Sequence, residues 1–383
     1  MQSGQDSQID RAWVRDYLDR LMVQWQKHSD APNGVFDPFL DREWRHHRDG
    51  PRTLVSQCRL IYTFSRAHEW SGDAAYAELA RRGIAALREH WGTKHAGGWA
   101  WACDGEGRVQ DATLNAYGHA FVILAFATAA SVFREDAFRD DALQTWHFMQ
   151  ENLRDEHGGL IWHVSPDGQV LDDDRSQNPL MHSFEALLAL APLDESGTAR
   201  DAAMGIWRFL QDRMPAPALL PEWFDPEWQP IATGDKAVIE IGHAYEWAYL
   251  LSDAQAIFPD VDLLAPGRQF LHYGLRHGYD ANQGGVFSQA DYAGQVIGER
   301  KGWWEQCEAI RAMQRYVVRH EATEIAEPLE QSIVFARQNF VDDEFGGWYY
   351  NPPAAGGVPS LDKGNEWKLD YHVVNMCREL LGL

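Results

Sequence analysis

A histidine and a glutamate stand close together inside a strongly apolar segment of this sequence. The segment, residues 236–251, reads KAVIEIGHAYEWAYLL and carries His243 and Glu246 three positions apart. Residues three apart on a helix share one face, and apolar residues all round predict a helix that is buried on most sides. Burying an imidazole beside a carboxylate is costly unless both groups are hydrogen-bonded. The pair is therefore either a satisfied core pair or part of an acid–base site.

Comparable polar residues recur at similar places along the chain. Arg52 precedes an early apolar segment, and His372 lies in the last one. Five others fall within or beside helical patterns, namely Tyr117, Asn178, His182, Trp304 and Glu308. Histidine titrates near neutral pH and suits proton transfer, and an arginine can stabilise negative charge that develops on an oxygen. These residue types predict general acid–base chemistry if the fold brings them to one cavity.

Each residue also has an ordinary structural interpretation. Taken alone, Arg52 would be a surface arginine, and His119 would be a core histidine with satisfied hydrogen bonds. Three histidines could in principle bind a metal ion. However, His182, His243 and His372 belong to three different predicted helices, without HxH or HxxxH spacing. We therefore predict no metal ion and no cofactor.

The elements that position these residues follow an internal repeat. Gly-Gly, then aromatic or apolar residues, then turn residues occur at four places, Gly97, Gly158, Gly284 and Gly346. The marks are about sixty residues apart, or about twice that in one interval, as in a repeat with one degenerate copy. The same spacing places two imperfect copies, NGVFDPF at Gly34 and PEWFDPEWQP at Pro221. The chain is therefore predicted to contain six units.

Each unit is predicted to hold two helices. The first helices are predicted at residues 9–27, 74–90, 136–152, 198–212, 263–277 and 323–339. The second helices are predicted at residues 53–68, 112–131, 179–190, 236–251, 303–319 and 368–381. Six helical hairpins with short β-hairpin loops at one end predict an all-α (α/α)6 barrel, with the second helices inside, as a single domain over residues 1–383. An open solenoid is the alternative, but no polar capping repeat is evident.

Composition limits the partners of this chain. A formal net charge of −23 argues against nucleic acid and anionic membranes. The N-terminus MQSGQDSQID lacks a signal-peptide pattern, and we expect no membrane helix because no apolar run approaches about 20 residues. The four cysteines form no CxxC pair. We predict a cytoplasmic protein with no membrane partner, and the sequence leaves monomer and homodimer open.

Six motifs give the chain a resemblance to the N-acylglucosamine 2-epimerase superfamily, which includes cellobiose 2-epimerases, mannose isomerases and mannose 2-epimerases. The motifs are RTLVSQCRLIYTF from Arg52, LNAYGHAFVILAFA from Leu114, RSQNPLMHSFEALLAL from Arg175, IGHAYEWAYLL from Ile241, KGWWEQCEAI from Lys301 and KGNEWKLDYHV from Lys363. They span almost the whole chain, and members of the superfamily are similarly (α/α)6 barrels. The resemblance implies that His243 and His372 form the acid–base pair, with Arg52 and Glu246 in support. It also implies a set of sugar-binding residues, Tyr117, Asn178, His182, Trp304 and Glu308.

The resemblance implies chemistry on a free sugar. We predict an isomerase that interconverts D-mannose and D-fructose through a cis-enediolate, with His372 as the base at C2 and His243 oriented by Glu246. A sugar 2-epimerase is the alternative, since both reactions begin by removing the C2 proton. Two further hypotheses are an (α/α)6 glycoside hydrolase that uses Glu246 and Glu308 as its carboxylates, and a sugar-binding protein without catalysis.

Overall fold

The computed structural model describes residues 10–383, and this part of the chain forms twelve α-helices. The first helix of each unit lies in an outer ring, which consists of α1 (Arg11–Ser29), α3 (Ala74–His90), α5 (Asp136–Asn152), α7 (Thr198–Gln211), α9 (Leu264–His277) and α11 (Ala326–Phe340). The second helix of each unit lies in an inner ring, which consists of α2 (Leu54–Ser71), α4 (Ala116–Phe133), α6 (Asn178–Leu190), α8 (Ile241–Ile257), α10 (Trp303–Arg319) and α12 (Tyr371–Leu381).

The two rings differ because their sequences differ in apolar pattern. Outer helices such as α3 bury one stripe and expose charged residues on the other side. Inner helices such as α4 and α8 are buried along almost their whole length. Helix α4 has the length and composition of a membrane-crossing helix, but 83% of it is buried inside the barrel. Its apolar surface is therefore explained by packing between the outer ring and its inner-ring neighbours.

The ring closes between the first and last units. The Tyr62 hydroxyl in α2 donates to Asn375 Oδ1 in α12 at 2.6 Å. The Trp25 indole in α1 donates to Asp370 Oδ2, just before α12, at 3.0 Å. These bonds join residues more than 300 positions apart. The predicted (α/α)6 barrel is confirmed, and the open solenoid is excluded.

Nine short strands cover one end of the barrel. They are β1 (Arg52–Thr53), β2 (Ala102–Cys103), β3 (Val109–Asp111), β4 (Leu114–Asn115), β5 (His163–Val164), β6 (Arg175–Ser176), β7 (Trp223–Phe224), β8 (Ile239–Glu240) and β9 (Gln289–Ala290). Strands β2 and β3 form a hairpin, and the pairs β1–β2, β4–β5, β6–β7 and β8–β9 link consecutive units. Each linking pair joins the residues before an inner helix to the connection after the next outer helix. The strands thus hold the N-terminal ends of the inner helices together.

The repeat marks are glycines that turn the chain tightly against the next outer helix. Gly97 has φ 82°, and a Cβ there would lie 2.4 Å from the Gln144 carbonyl oxygen of α5. Gly284 likewise approaches the Gln331 carbonyl in α11. The left-handed backbone and the close carbonyl both favour glycine. In the degenerate unit the corresponding left-handed residue is Ala218, with φ 60°, a few positions before the predicted mark.

Helix bounds were predicted best where an amphipathic stripe has clear ends. Helices α3, α5 and α10 match their predicted bounds, whereas the predicted start of the first helix at Ile9 lies outside the described residues. Three inner helices begin at least three residues later than predicted, α4 at Ala116, α8 at Ile241 and α12 at Tyr371. For α4 and α8 the reason is that the preceding residues pair as β4 and β8. In both units, residues that were predicted to form the first helical turn form a strand instead.

Candidate active site

One cavity of about 360 Å³ opens at the strand-bearing end of the inner ring. Its wall is built from the N-terminal parts of inner helices and from the connections that lead into the strands. The lining residues are Arg59, Tyr117, Trp162, Asn178, His182, Glu222, Trp223, Glu240, His243, Glu246, Ser288, Gln289, Arg300, Trp303, Trp304, Glu305, Tyr350, Trp367 and His372. The predicted convergence of His182, His243 and His372 on one cavity is therefore found in the structure.

Seven of the nine predicted site residues line this cavity. They are His243, His372, Glu246, Tyr117, Asn178, His182 and Trp304. Glu308 lies directly behind His372, fully buried. Arg52 lies elsewhere in the strand layer. His119, interpreted as a core residue, is indeed buried, with both ring nitrogens hydrogen-bonded to backbone groups.

His372 is a neutral imidazole held by a carboxylate. Its Nδ1 lies 2.7 Å from Glu308 Oε1, and Arg311 Nη1 donates to Glu308 Oε2 at 3.2 Å. Burial disfavours the imidazolium and lowers the pKa of His372 to about 4. Burial opposes ionisation of Glu308, but Arg311 and His372 outweigh it and lower the pKa of Glu308. An ionised carboxylate only accepts hydrogen bonds, so Nδ1 carries the proton and Nε2 is free to act as a base.

His243, in contrast to His372, is positively charged. Its Nδ1 lies 2.7 Å from Glu222 Oε2 in the connection before β7. Burial by itself would lower the pKa of His243, but the charge and hydrogen bond of Glu222, with Glu246 and Glu240 nearby, raise it to about 9. His243 is therefore an imidazolium at neutral pH. The predicted orientation of His243 by Glu246 is wrong, because the glutamate that reaches its Nδ1 comes from the connection and not from the same helix.

The two histidine–glutamate pairs differ in what surrounds the carboxylate. Glu308 also accepts a hydrogen bond from a guanidinium, so most of its charge is neutralised before it acts on His372. Apart from His243, the side-chain donors to the Glu222 carboxylate among the described residues are neutral, namely Ser176 Oγ, at 2.8 Å, and Gln177 Nε2, at 2.9 Å. Its full negative charge therefore acts on His243. The same pairing motif thus yields one neutral and one cationic imidazole.

Glu246 faces the cavity as an uncharged acid. Both of its carboxyl oxygens are buried, with no hydrogen-bond partner among the described residues. Burial, with Glu308 and Glu185 nearby, raises the pKa of Glu246 well above its ordinary range. A neutral carboxyl can donate one hydrogen bond and accept others. Glu246 can therefore bind a sugar hydroxyl or carbonyl without adding a charge to the cavity.

A third histidine–glutamate pair forms the side wall. His182 Nδ1 lies 3.1 Å from Glu185 Oε2, and the Tyr371 hydroxyl donates to Glu185 Oε1. The imidazole packs edge-on against Tyr117, with ring centroids 5.0 Å apart. Burial lowers the pKa of His182. His182 is thus a neutral group suited to hydrogen bonds with a sugar.

The arginine that the inner ring contributes to the cavity is Arg59, and the placement of Arg52 there is wrong. Arg59 lies inside α2 and donates to the Tyr117 hydroxyl at 2.9 Å and to the Trp367 carbonyl at 2.5 Å. Arg52 precedes α2 in β1, donates to the Gly50 carbonyl and pairs with Asp37 at 3.3 Å. Both arginines belong to the motif RTLVSQCRLIYTF. Only the one within the inner helix can point into the ring.

Several cavity residues that the sequence reasoning missed share one repeat position. In units two to five the residue directly before the strand of each connection is Trp101, Trp162, Glu222 or Ser288. In unit six the equivalent residue is Tyr350, which precedes the isolated bridge between Asn351 and Ser360. All of these except Trp101 line the cavity. Aligning the connections at their left-handed residue would have found this position. The degenerate fourth unit places a glutamate where units two and three place tryptophan.

Two groups of acidic and histidine side chains have the donor types to hold a metal ion. They are His182–Glu185–Glu246 and Glu246–Glu308–His372, each with its donor atoms within 4.8 Å of one another. Imidazole and carboxylate donors suit several transition metals. In both groups the histidine Nδ1 already bonds a glutamate. Metal independence of the chemistry therefore stays a prediction that chelation can test.

The fold and the cavity define a class of barrel proteins in which inner-ring histidines and glutamates surround a polar pocket. Residues 34–376 match the family described as N-acylglucosamine 2-epimerase (GlcNAc 2-epimerase). The chain belongs to this family, whose relatives include enzymes that isomerise or epimerise sugars.

Individual relatives span the whole chain. The chain is 25% identical over 391 residues to a D-mannose isomerase of Marinomonas mediterranea, covering 97% of both chains. It is 22% identical to a cellobiose 2-epimerase of Bacteroides fragilis, covering 98% of this chain and 100% of the relative. A crystal structure of D-mannose isomerase superposes with a TM-score of 0.88 at 23% identity, covering 100% of both chains. The superposition supports the barrel assignment for the complete chain.

Proposed function

We propose that this protein is an aldose–ketose isomerase that interconverts free D-mannose and D-fructose. The observation that carries the proposal is the pair of histidines in one cavity that differ in charge. His372 is neutral with a free Nε2, and His243 is cationic. Two titratable groups whose surroundings push their pKa values apart are the arrangement that acid–base chemistry needs.

In the proposed reaction His372 Nε2 removes the proton from C2 of the open-chain aldose. The C2–H electron pair forms the C1=C2 double bond, and the C1 oxygen takes a proton from His243. The 2-hydroxyl then returns a proton to His243 as the C2 carbonyl forms, and His372 delivers its proton to C1. Arg59 supplies a fixed positive charge beside the cavity that stabilises the developing enediolate. We also assign His243 the opening of the sugar ring.

The lining of the cavity suits a neutral sugar as the substrate. Its carboxyl groups include Glu240, Glu246 and Glu305, and burial raises the pKa of all three, which favours their uncharged forms. An uncharged carboxyl can donate one hydrogen bond to a sugar hydroxyl and accept others. Aromatic walls such as Trp162, Trp304 and Trp367 offer flat faces to a sugar ring. The D-mannose isomerases among the relatives favour mannose as that sugar.

A sugar 2-epimerase is the second candidate, and the relative named cellobiose 2-epimerase favours it. In that reaction His243 would return the proton to C2 on the opposite face. The glycoside hydrolase hypothesis receives no support, because Glu308 is fully buried with both oxygens bonded to His372 and Arg311. Such a carboxylate cannot reach a scissile bond.

Product analysis in heavy water tests the proposal. Mannose incubated with the protein should give fructose that carries deuterium on C1, partially if His372 transfers the proton directly. Replacing His372 by asparagine should lower kcat by about 10²–10⁴-fold, the usual contribution of general acid–base catalysis. Glucose labelled at C2 as the dominant early product would overturn the isomerase and establish the epimerase. An asparagine variant that still exchanged the C2 proton at the wild-type rate would remove His372 from the role.

We place the enzyme in the cytoplasm. Cys58, Cys103, Cys307 and Cys377 are all buried free thiols. A reducing compartment keeps thiols in this state. Recovery of the activity with the cytoplasmic fraction of its source cells would test this location.

A further inference from the structure

The connection before β7 differs from its neighbours at the position that lines the cavity. The units on either side place Trp162 and Ser288 there, whereas this unit places Glu222. Glu222 is 5% exposed. An ionised carboxylate at such a buried place needs hydrogen-bond donors and a cation around it. The surroundings of Glu222 supply both.

Backbone pairing fixes the place of Glu222. Its N–H donates to the Val238 carbonyl at 3.2 Å, and its carbonyl accepts from the Gln177 N–H at 3.2 Å. Glu222 directly precedes β7, which pairs with β6 so that Ser176 lies opposite Trp223. The backbone of Glu222 is therefore hydrogen-bonded to residues that lead into two inner helices, Gln177 before α6 and Val238 before α8.

A second layer of side chains fixes the carboxylate itself. The Trp247 indole donates to Gln177 Oε1 at 2.9 Å. An indole N–H only donates, so it sets the orientation of the amide and turns Gln177 Nε2 toward the pair. That nitrogen donates to Glu222 Oε2 at 2.9 Å and lies 2.8 Å from His243 Nδ1. The Ser176 hydroxyl donates a hydrogen bond to the other oxygen of Glu222, Oε1.

We propose that Glu222 is a positioning residue that keeps His243 cationic and keeps its Nε2 directed into the cavity. Glu222 acts through His243 and needs no contact with the sugar. The charge of His243 also depends on other groups that face it, so they must be separated from Glu222 in any test. These groups are Glu240, Glu246, Glu305 and His182. Of the carboxylates among the described residues, only Glu222 accepts a hydrogen bond from His243.

Replacing Glu222 by glutamine tests this role by direct titration. Histidine-labelled protein is titrated by ¹⁵N NMR, and the His243 signal is identified by its loss in a His243→Asn variant. Wild-type His243 should stay cationic through pH 8, whereas His243 in E222Q should titrate below about 6.5, because burial then outweighs the remaining carboxyl groups. A wild-type His243 that is neutral at pH 7.5, or an unchanged titration in E222Q, would overturn the proposal.

Enzyme kinetics provide a second test, which rests on the proposed function. The alkaline limb of kcat/KM should move from about 9 to about 6.5 in E222Q, which lowers activity at pH 8 by about 30-fold with little loss at pH 6. If Glu222 had a purely structural role, E222Q would lose activity at every pH and the alkaline limb of kcat/KM would not move. Glu222→Asp keeps the carboxylate, so its alkaline limb should lie between those of E222Q and the wild type.

A matched control separates the hydrogen bond from general negative charge. Glu240→Gln removes a nearby carboxylate that bonds Gln289, at 2.6 Å, instead of His243. It should move the His243 titration less than E222Q does, and an equal or larger shift would overturn the special role of Glu222. The NMR titration does not depend on the reaction catalysed. A cationic, Glu222-dependent His243 together with glucose as the product would therefore refute the isomerase and uphold this inference.

Discussion

Replacing Arg59 by methionine would test which arginine serves the cavity. Arg59 is buried, donates to the Tyr117 hydroxyl and the Trp367 carbonyl, and lies 4.5 Å from the centre of the Phe121 ring. Methionine keeps much of the apolar stem and removes only the charged head. The partners that remain are neutral groups. The fold should therefore survive while the cavity loses the cation that the inner-ring arginine supplies.

The expected loss follows from the role of a preorganised charge. Removing one donor that stabilises a developing oxyanion costs about 10²–10³-fold in kcat, or about 2.7–4 kcal/mol. We expect a loss of that size for Arg59→Met, with a smaller change in KM because the enediolate carries more charge than the sugar. Arg59→Lys keeps the charge but loses the two-pronged geometry, and its loss should be intermediate. Initial rates of fructose formation from mannose measure these changes.

Arg52→Met is the matched control, since it makes the same substitution seven positions earlier. It removes a 3.3 Å ion pair with Asp37 and a bond to the Gly50 carbonyl. Asp37 keeps His46 as a second partner. We expect a loss of stability of about 1–2 kcal/mol in urea unfolding, and a kcat that stays close to the wild-type value. A greater loss of kcat in Arg52→Met than in Arg59→Met would refute the reasoning.

Two further predictions concern pH and metal. Because the pKa of His372 is lowered to about 4, the base is already neutral above that pH, and kcat/KM should rise through about 4 and then level off. An acid limb at pH 6–7, in protein shown to be folded by circular dichroism, would contradict a neutral His372. Activity should also survive thorough chelation, and a loss that added manganese or cobalt restored would show that a metal takes part.

Much of the fold could be predicted because one repeat carries it. Five glycine marks, one degenerate copy and two apolar helical patterns per unit define a closed double ring. The inner helix starts were harder to predict, since β4 and β8 form only when consecutive units are side by side. Residues such as Ile239 and Glu240 read locally as the start of α8. Their strand pairing with Gln289 and Ala290 is a contact between units.

The histidines were predictable from residue type and position, but their partners were not. A buried histidine in each of three inner helices follows from the apolar pattern and the repeat. Glu222 lies in a connection that is degenerate in sequence, and its contact with His243 spans 21 positions. Glu246 was the nearer candidate along α8, yet it bonds to nothing among the described residues. Helical spacing shows which residues share a face but not which of them reach each other across the cavity.

The charge of each histidine is harder to predict from the sequence than its hydrogen-bond partner. His372 and His243 each bond one glutamate through Nδ1, at the same distance of 2.7 Å. What separates them is the next contact, because a guanidinium neutralises Glu308 whereas a serine and an amide leave Glu222 fully charged. An acid and a base can therefore arise from the same pair of residue types. Residue type limits the chemistry to proton transfer, and the second contact of each glutamate decides which histidine gives the proton and which takes it.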